Sequence, residues 1–186
     1  MSELKRHCER WIKKSDGYDE GETVYVFDKF FTLFVTYNSI YFNATIYLIS
    51  QGKIGKNRTG DKDSATKNMN DFIGTKELYN KLVSLESEVV KILDCIGSPF
   101  YISTERDNIT PDVEEDERLV NNIKNKFNLS NVNEQRKFNI SLLTLIYGVR
   151  CNMFHGKKRL SSLQDNILKP MNKILETIIK DGSSKL

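Results

Sequence analysis

The chain has 186 residues, of which 39% are hydrophobic and 28% are charged, and its formal net charge is +3. This balance is typical of a single folded domain with a sizeable core and excludes a disordered chain. A net charge this small does not by itself indicate a nucleic-acid-binding protein, because such binding depends on cations clustered in one place.

The cysteines and the apolar runs of the sequence indicate in which compartment the protein is found. The three cysteines, Cys8, Cys95 and Cys151, form no CxxC pair, which argues against a disulfide framework or a structural zinc site. The N-terminal residues 1–14 resemble no signal peptide. Polar residues interrupt the long apolar run 24–49, so we interpret it as a buried helix and not as a membrane span. We therefore expect a cytoplasmic protein with reduced thiols and no membrane partner.

Apolar residues recur at helical spacing along almost the whole sequence, which predicts an all-α fold. A first amphipathic helix is expected at 3–14, followed by turn residues up to about residue 20. The second helix, at 26–51, is apolar around most of its circumference, which is typical of a helix at the centre of a bundle. Only the stretch 23–26 has any β-strand pattern.

The segment 52–64, GKIGKNRTGDKDS, is rich in glycine and basic residues. Gly55 and Gly60 have the spacing of a phosphate-binding loop. The next residues are Asp61 and Lys62 instead of Lys and Ser or Thr, so the Walker pattern is not met. We expect an exposed, flexible loop here.

Helical spacing returns between Leu78 and Ile96 and predicts one helix, followed by a second exposed loop at 98–111. The carboxylate-rich run 112–117 then precedes another apolar pattern. Carboxylates in a first helical turn suit the positive end of the helix dipole. A metal site is the alternative interpretation, but the consecutive spacing and the lack of a nearby histidine argue against it.

Two helices complete the pattern. One is expected at 133–154, and the other begins near Ser161, where Pro170 should kink it or divide it. The sequence therefore predicts one domain, 1–186, built as an all-α bundle of four or five main helices.

The strongest candidates for functional residues lie at the end of the helix 133–154 and directly after it. Arg150 extends an apolar face, so its guanidinium needs an anion, a carbonyl group or a path to solvent. His155 follows, and an unperturbed histidine, with a pKa of about 6.5, exchanges protons near neutral pH. The cations Lys157, Lys158 and Arg159 come next and can bind flanking RNA phosphates. This set suits cleavage of RNA without a metal ion, although cations at a helix end also serve simply as caps.

Two segments carry a family resemblance. VRCNMFHGKK resembles the R-x4-6-H motif of HEPN domains (higher eukaryotes and prokaryotes nucleotide-binding), whose fuller pattern is reproduced by Arg150, Asn152, Phe154, His155, Gly156 and Lys157. FDKFFTLFVTYNSIYF resembles the aromatic early helix of the family, in which Asn38 and Tyr41 take the asparagine and tyrosine places. Cys151 is a departure, since many active members have a polar residue directly after the arginine.

The resemblance implies a helical bundle that forms a homodimer, with the motifs of both subunits facing a shared cleft. It also implies a metal-independent endoribonuclease that needs no cofactor, often in a toxin or phage-defence system with an antitoxin or another partner protein. Carried over by position, His155 would be the general acid and base, Arg150 would bind the scissile phosphate, and Asn152 would assist.

Asn38 and Tyr41 are candidate supporting residues behind this site. We expect Asn38 on the buried side of its helix, where its amide either ties helices together or orients Arg150. Two other functions stay open. One is a catalytically inert HEPN-like module that binds RNA, a nucleotide or a protein, and the other is a structural bundle whose basic helix end is only a cap.

Overall fold

The structure, a computed structural model, describes residues 3–97, 101–103, 110–154 and 164–186. Within these ranges the chain is helical and contains no β-strand. The α-helices there are α1 (Glu3–Ser15), α2 (Thr23–Ser50), α3 (Asp61–Asp63), α4 (Met69–Ile73), α5 (Thr75–Val83), α6 (Glu86–Cys95), α7 (Val113–Asn121), α8 (Val132–Phe154) and α9 (Asp165–Ser184). The predicted all-α fold is confirmed for these residues.

Helix α2 is the central element of the fold. It packs against α1, α4 and α9, and the side chains of Phe30, Phe34 and Tyr37 on it are almost completely buried. The apolar circumference of α2 predicted this central position. One face is not covered by the described residues, since Val35, Phe42 and Ile46 are exposed. The stretch 23–26 belongs to the first turn of α2, so the β-strand pattern noted there is wrong. No helix in the described ranges is long and apolar enough to cross a membrane.

The predicted glycine-rich loop is shorter than expected. A 3₁₀ turn occupies Lys56–Arg58, and helical structure resumes at Asp61 instead of after Ser64. A π-helical turn, Ser64–Asn68, then packs its buried residues against α2 and α8. The hydroxyl of Tyr37 donates a hydrogen bond to the Ala65 carbonyl and ties this turn to α2. The tertiary contact explains why a segment of loop-like composition is partly helical.

The single helix expected between Leu78 and Ile96 is divided into α5 and α6. The Ser84 hydroxyl donates to the Lys81 carbonyl at 2.7 Å, and the Leu85 N–H bonds to the Leu82 carbonyl at 3.1 Å. These short-range bonds tighten the last turn of α5 and redirect the chain. The division lets α5 pack on α8 while α6 packs on α9.

The carboxylates at 112–117 have structural partners. Asp112 caps α7, since its side chain accepts the Glu115 N–H at 3.0 Å. The buried Asp116 carboxylate accepts the N–H groups of Ile102 and Ser103, at 2.7 and 2.8 Å. The predicted helix start is confirmed, and Asp116 fastens the segment 101–103 to the bundle.

Helix α9 completes the core with the predicted apolar face, which includes Ile167, Met171, Ile174, Leu175, Ile178 and Ile179. Pro170 lies inside α9 and does not divide it, so the expected division is wrong, while the alternative, a kink, stays a prediction. The predicted start near Ser161 lies outside the described residues. Of the predicted loop 98–111, the parts that the structure describes are not helical.

Candidate functional site

Arg150 lies in the last turn of α8, four residues before the helix ends at Phe154. The carbon of its guanidinium is 5.4 Å from the centre of the Phe34 ring and 5.9 Å from that of the Tyr147 ring. Its side chain keeps 22% of its surface exposed. Aromatic faces attract a guanidinium, so they explain how a cation can continue the apolar face of α8 and still reach solvent.

Asp61, at the start of α3, is the carboxylate beside this arginine. Its Oδ1 accepts a hydrogen bond from the Tyr41 hydroxyl at 2.6 Å, and its Oδ2 accepts one from the Tyr147 hydroxyl at 2.8 Å. Nη1 of Arg150 lies 3.8 Å from Oδ2 of Asp61. We call Tyr41, Asp61, Tyr147 and Arg150 the Asp61 cluster; it joins α2, α3 and α8.

The protonation states of the cluster follow from its contacts. Burial and the hydrogen bond to Asp61 raise the pKa of both Tyr41 and Tyr147 well above the usual value for tyrosine. Both phenols therefore stay protonated at neutral pH and donate to the carboxylate. Burial by itself would lower the pKa of Arg150, but the Cys151 sulfur, Asp61 and Tyr41 raise it on balance. The arginine is positively charged.

Asn152, predicted to assist catalysis, has a partner within the protein. Its side chain is buried, and its Nδ2 donates to the Ile102 carbonyl at 2.7 Å. Gly148 faces the same segment, because a Cβ there would lie 2.6 Å from Cγ2 of Ile102. The last turns of α8 are thus packed closely against the segment 101–103, and the described contact of Asn152 supports a structural role.

The structure separates the two predicted supporting residues. Tyr41 is buried and belongs to the Asp61 cluster. Asn38 is exposed and lines a groove between α1 and α2 together with His7 and Phe42, so the expectation of a buried Asn38 amide is wrong. Three residues turn a helix by about 300°, which rotates Asn38 about 60° away from the face of Tyr41. That rotation moves it from the α8 side of α2 towards the groove.

His155, Gly156, Lys157, Lys158 and Arg159 lie outside the described residues. The predictions for the histidine and for the three cations therefore stay predictions. The description of α8 ends at Phe154, one residue before the histidine.

Sequence reasoning missed Asp61 and Tyr147. A signal for Tyr147 was present, because it precedes Arg150 by three residues and side chains at that spacing are neighbours on a helix. Asp61 was considered only as a departure from the phosphate-loop pattern. Nothing local in the sequence links it to an arginine 89 residues later.

The Asp61 cluster combines a cation that can donate several hydrogen bonds with a carboxylate and two phenols. Such a guanidinium binds phosphate or carboxylate groups. Among the described residues, no group of three or more histidine, cysteine, aspartate or glutamate side chains could hold a metal ion.

Comparison of the chain with protein-family models, with curated proteins and with solved structures found no match in any of the three. The case for a function therefore depends on the chemistry of the residues themselves.

Proposed function

We propose that this chain is a metal-independent endoribonuclease of the HEPN type, in which Arg150 binds the scissile phosphate and His155 transfers protons. The observation that carries the proposal is the setting of Arg150. Its guanidinium rests on two aromatic rings at the end of α8, reaches solvent, and precedes the only histidine of that region by five residues.

The proposed reaction needs no group outside the protein and the RNA. The 2′-hydroxyl loses its proton to a base and attacks the adjacent phosphorus, and the bond to the 5′-oxygen breaks as that oxygen gains a proton. The products are a 2′,3′-cyclic phosphate and a 5′-hydroxyl. His155 supplies the proton transfers, and Arg150 donates hydrogen bonds to the non-bridging oxygens as negative charge grows on them.

Lys157, Lys158 and Arg159 bind phosphates on either side of the cleaved bond in this proposal. Each phosphate contact of this kind releases counterions, so RNA affinity should fall steeply as the salt concentration rises. A Gln substitution at all three positions should weaken RNA binding and reduce that salt dependence.

The proposed active form is a homodimer with both Arg150 and His155 sets at a shared cleft, working in a toxin or phage-defence system with a partner protein. Sedimentation of the purified chain tests the dimer. A monomer at every concentration at which RNA is cleaved would exclude the shared cleft while leaving the chemistry of each subunit open to the cleavage assay.

A non-catalytic RNA-binding module is the second candidate, and one observation favours it. The Asn152 amide bonds to the Ile102 carbonyl, so it is engaged away from any reacting phosphate. In that case RNA binds at Arg150 without being cut.

The deciding experiment incubates the purified chain with labelled single-stranded RNA in the presence of a metal chelator. His155→Ala should abolish cleavage, whereas His7→Ala, which changes the other histidine of the chain, should leave it intact. Arg150→Gln should weaken both cleavage and binding. Its control is Arg118→Gln, which removes a largely exposed arginine paired with Glu115 on α7.

Cleavage that survives His155→Ala would overturn the nuclease proposal. RNA binding that depends on Arg150 with no cleavage in any buffer would favour the second candidate. Unchanged RNA affinity in Arg150→Gln, with the fold intact by circular dichroism, would reject both.

A further inference from the structure

Asp61 is bound by tyrosines and not by the arginine that it neutralises. Both of its oxygens accept phenolic hydroxyls, from Tyr41 at 2.6 Å and from Tyr147 at 2.8 Å. The 3.8 Å between Nη1 of Arg150 and Oδ2 of Asp61 is longer than a hydrogen bond. The carboxylate therefore acts on the guanidinium by its charge while its position is set by other groups.

The tyrosine hydroxyls have a consequence for any anion that approaches Arg150. Because the Asp61 side chain is 49% exposed and accepts both tyrosine hydroxyls, an incoming anion can take its place beside Arg150 without leaving the carboxylate unsatisfied. Hydrogen bonds from hydroxyl groups to an ionised oxygen are strong, and both remain when the arginine turns to a new anion. Tyr41 is almost completely buried, so the surrounding core holds its hydroxyl in place beside Asp61.

We propose that Asp61 is a resident counter-ion of Arg150, that a phosphate group displaces it from the guanidinium, and that Tyr41 and Tyr147 retain the displaced carboxylate. The identity of the phosphate as part of an RNA rests on the proposed function; the exchange of anions at Arg150 does not. Asp61 is a positioning residue in this account. It lowers the affinity of Arg150 for single anions, so that productive binding requires a ligand with further phosphate contacts.

The proposal predicts a gain of affinity when Asp61 becomes neutral. Asp61→Asn keeps the shape of the side chain, its oxygen still accepts from Tyr41, and its amide can donate to the Tyr147 oxygen. Removal of a partly exposed opposite charge from the arginine should tighten binding of a phosphate ligand about fivefold at low salt. A residue with only a structural role would give no such gain.

A loss of phosphate affinity is expected when one of the two tyrosine hydroxyls that hold Asp61 is removed. Tyr147→Phe keeps the charge of Asp61 but removes the hydroxyl bound to Oδ2. That oxygen can then approach Arg150 and pair with it more closely, which should weaken phosphate binding about threefold. Once Asp61 is already Asn, the same Tyr147→Phe change should have almost no effect, because there is no carboxylate left to release.

The experiment measures the binding affinity of two ligands for the wild-type chain, for both single variants and for the double variant. Inorganic pyrophosphate is titrated calorimetrically, and a 2′-O-methyl RNA, which cannot be cleaved, is titrated by fluorescence anisotropy. Asp63→Asn is the matched control. It removes the same charge two residues away in the same helix, where the carboxylate pairs with Lys67 at 2.8 Å.

Tighter pyrophosphate binding in Asp61→Asn, but not in Asp63→Asn, supports the proposal whether or not the chain cleaves RNA. Unchanged or weaker binding by a folded Asp61→Asn protein overturns it, even if RNA cleavage by the wild-type chain is confirmed. Should Asp61→Asn not fold, the Tyr147→Phe variant serves as the test. A pyrophosphate affinity of Tyr147→Phe equal to or above that of the wild type then overturns the proposal.

Discussion

The Nδ2 atom of Asn152 lies 2.7 Å from the carbonyl oxygen of Ile102, a residue fifty positions earlier in the chain. The bond joins the last turns of α8 to the segment 101–103. The other side of this segment is held by Asp116, whose carboxylate accepts two of its N–H groups. The end of the helix that carries Arg150 is therefore fixed through a segment with no regular secondary structure.

Asn152→Ala should lower the free energy of unfolding by about 1–3 kcal/mol, because it leaves a buried carbonyl without this donor. Urea denaturation followed by circular dichroism measures the change. Asn38→Ala is the matched control, since Asn38 is exposed, and its effect should stay within about 0.5 kcal/mol. Unchanged stability in Asn152→Ala, together with a large loss of RNA cleavage, would favour the catalytic role that the motif implies over the structural one.

Gly148→Ala should destabilise the protein although alanine favours a helix. The added Cβ would lie 2.6 Å from Cγ2 of Ile102, and the resulting overpacking costs about 1–3 kcal/mol, more than the helix propensity gained. The measurement is the thermal midpoint of unfolding.

Two controls sharpen this test. Ile102→Leu removes the branch that meets the new Cβ, so adding it to Gly148→Ala should recover part of the loss. Gly60→Ala places a Cβ where no atom lies within 4 Å and should be tolerated. Equal stability of Gly148→Ala and the wild type would mean that the segment 101–103 packs less closely than described.

Asp71 should make the protein sensitive to acid. Burial by itself would raise the pKa of this carboxyl, but hydrogen bonds and charge from Arg136, with further bonds from Asn70 and Arg58, hold it below its usual value. Oδ2 of Asp71 lies 3.2 Å from Nη2 of Arg58 and 3.3 Å from Nη2 of Arg136.

A folded-state pKa below the unfolded value means that the stabilisation is present above a pH of about 4 and is lost as the pH falls through the folded pKa. Asp71→Asn should therefore reduce the acid-dependent part of the unfolding free energy, measured by urea titrations at several pH values. Identical acid profiles for Asp71→Asn and the wild type would contradict this account.

The two tyrosines of the Asp61 cluster should titrate later than ordinary tyrosines when the pH is raised. Burial comes first among the causes, and the nearby carboxylate adds to it by opposing a second negative charge. Ultraviolet absorbance of tyrosinate during an alkaline titration follows this. Asp61→Asn should lower the pKa of Tyr147, the more accessible of the two, and a Tyr147→Phe protein identifies its share of the signal. A titration curve that Asp61→Asn does not alter would count against the described contacts.

The helices were predictable because their signal is local. An apolar residue every three or four positions specifies a buried face whatever lies across from it, and this determined α1, α2, α8 and the apolar face of α9 from the sequence alone. Where short-range hydrogen bonds compete with that pattern, as at Ser84, the periodicity does not reveal the break. The motif around Arg150 was visible for the same reason, since its residues are neighbours in the chain.

The partners of Arg150 were decided by the tertiary structure. Asp61 and Arg150 are far apart in sequence, and they meet because the π-helical turn that follows α3 packs against both α2 and α8. The direction of Asn38, towards the groove instead of the core, likewise depends on how α2 is rotated against its neighbours. A linear pattern records which residues are apolar and which are charged, whereas the pairing of two distant charges depends on how the helices pack in three dimensions.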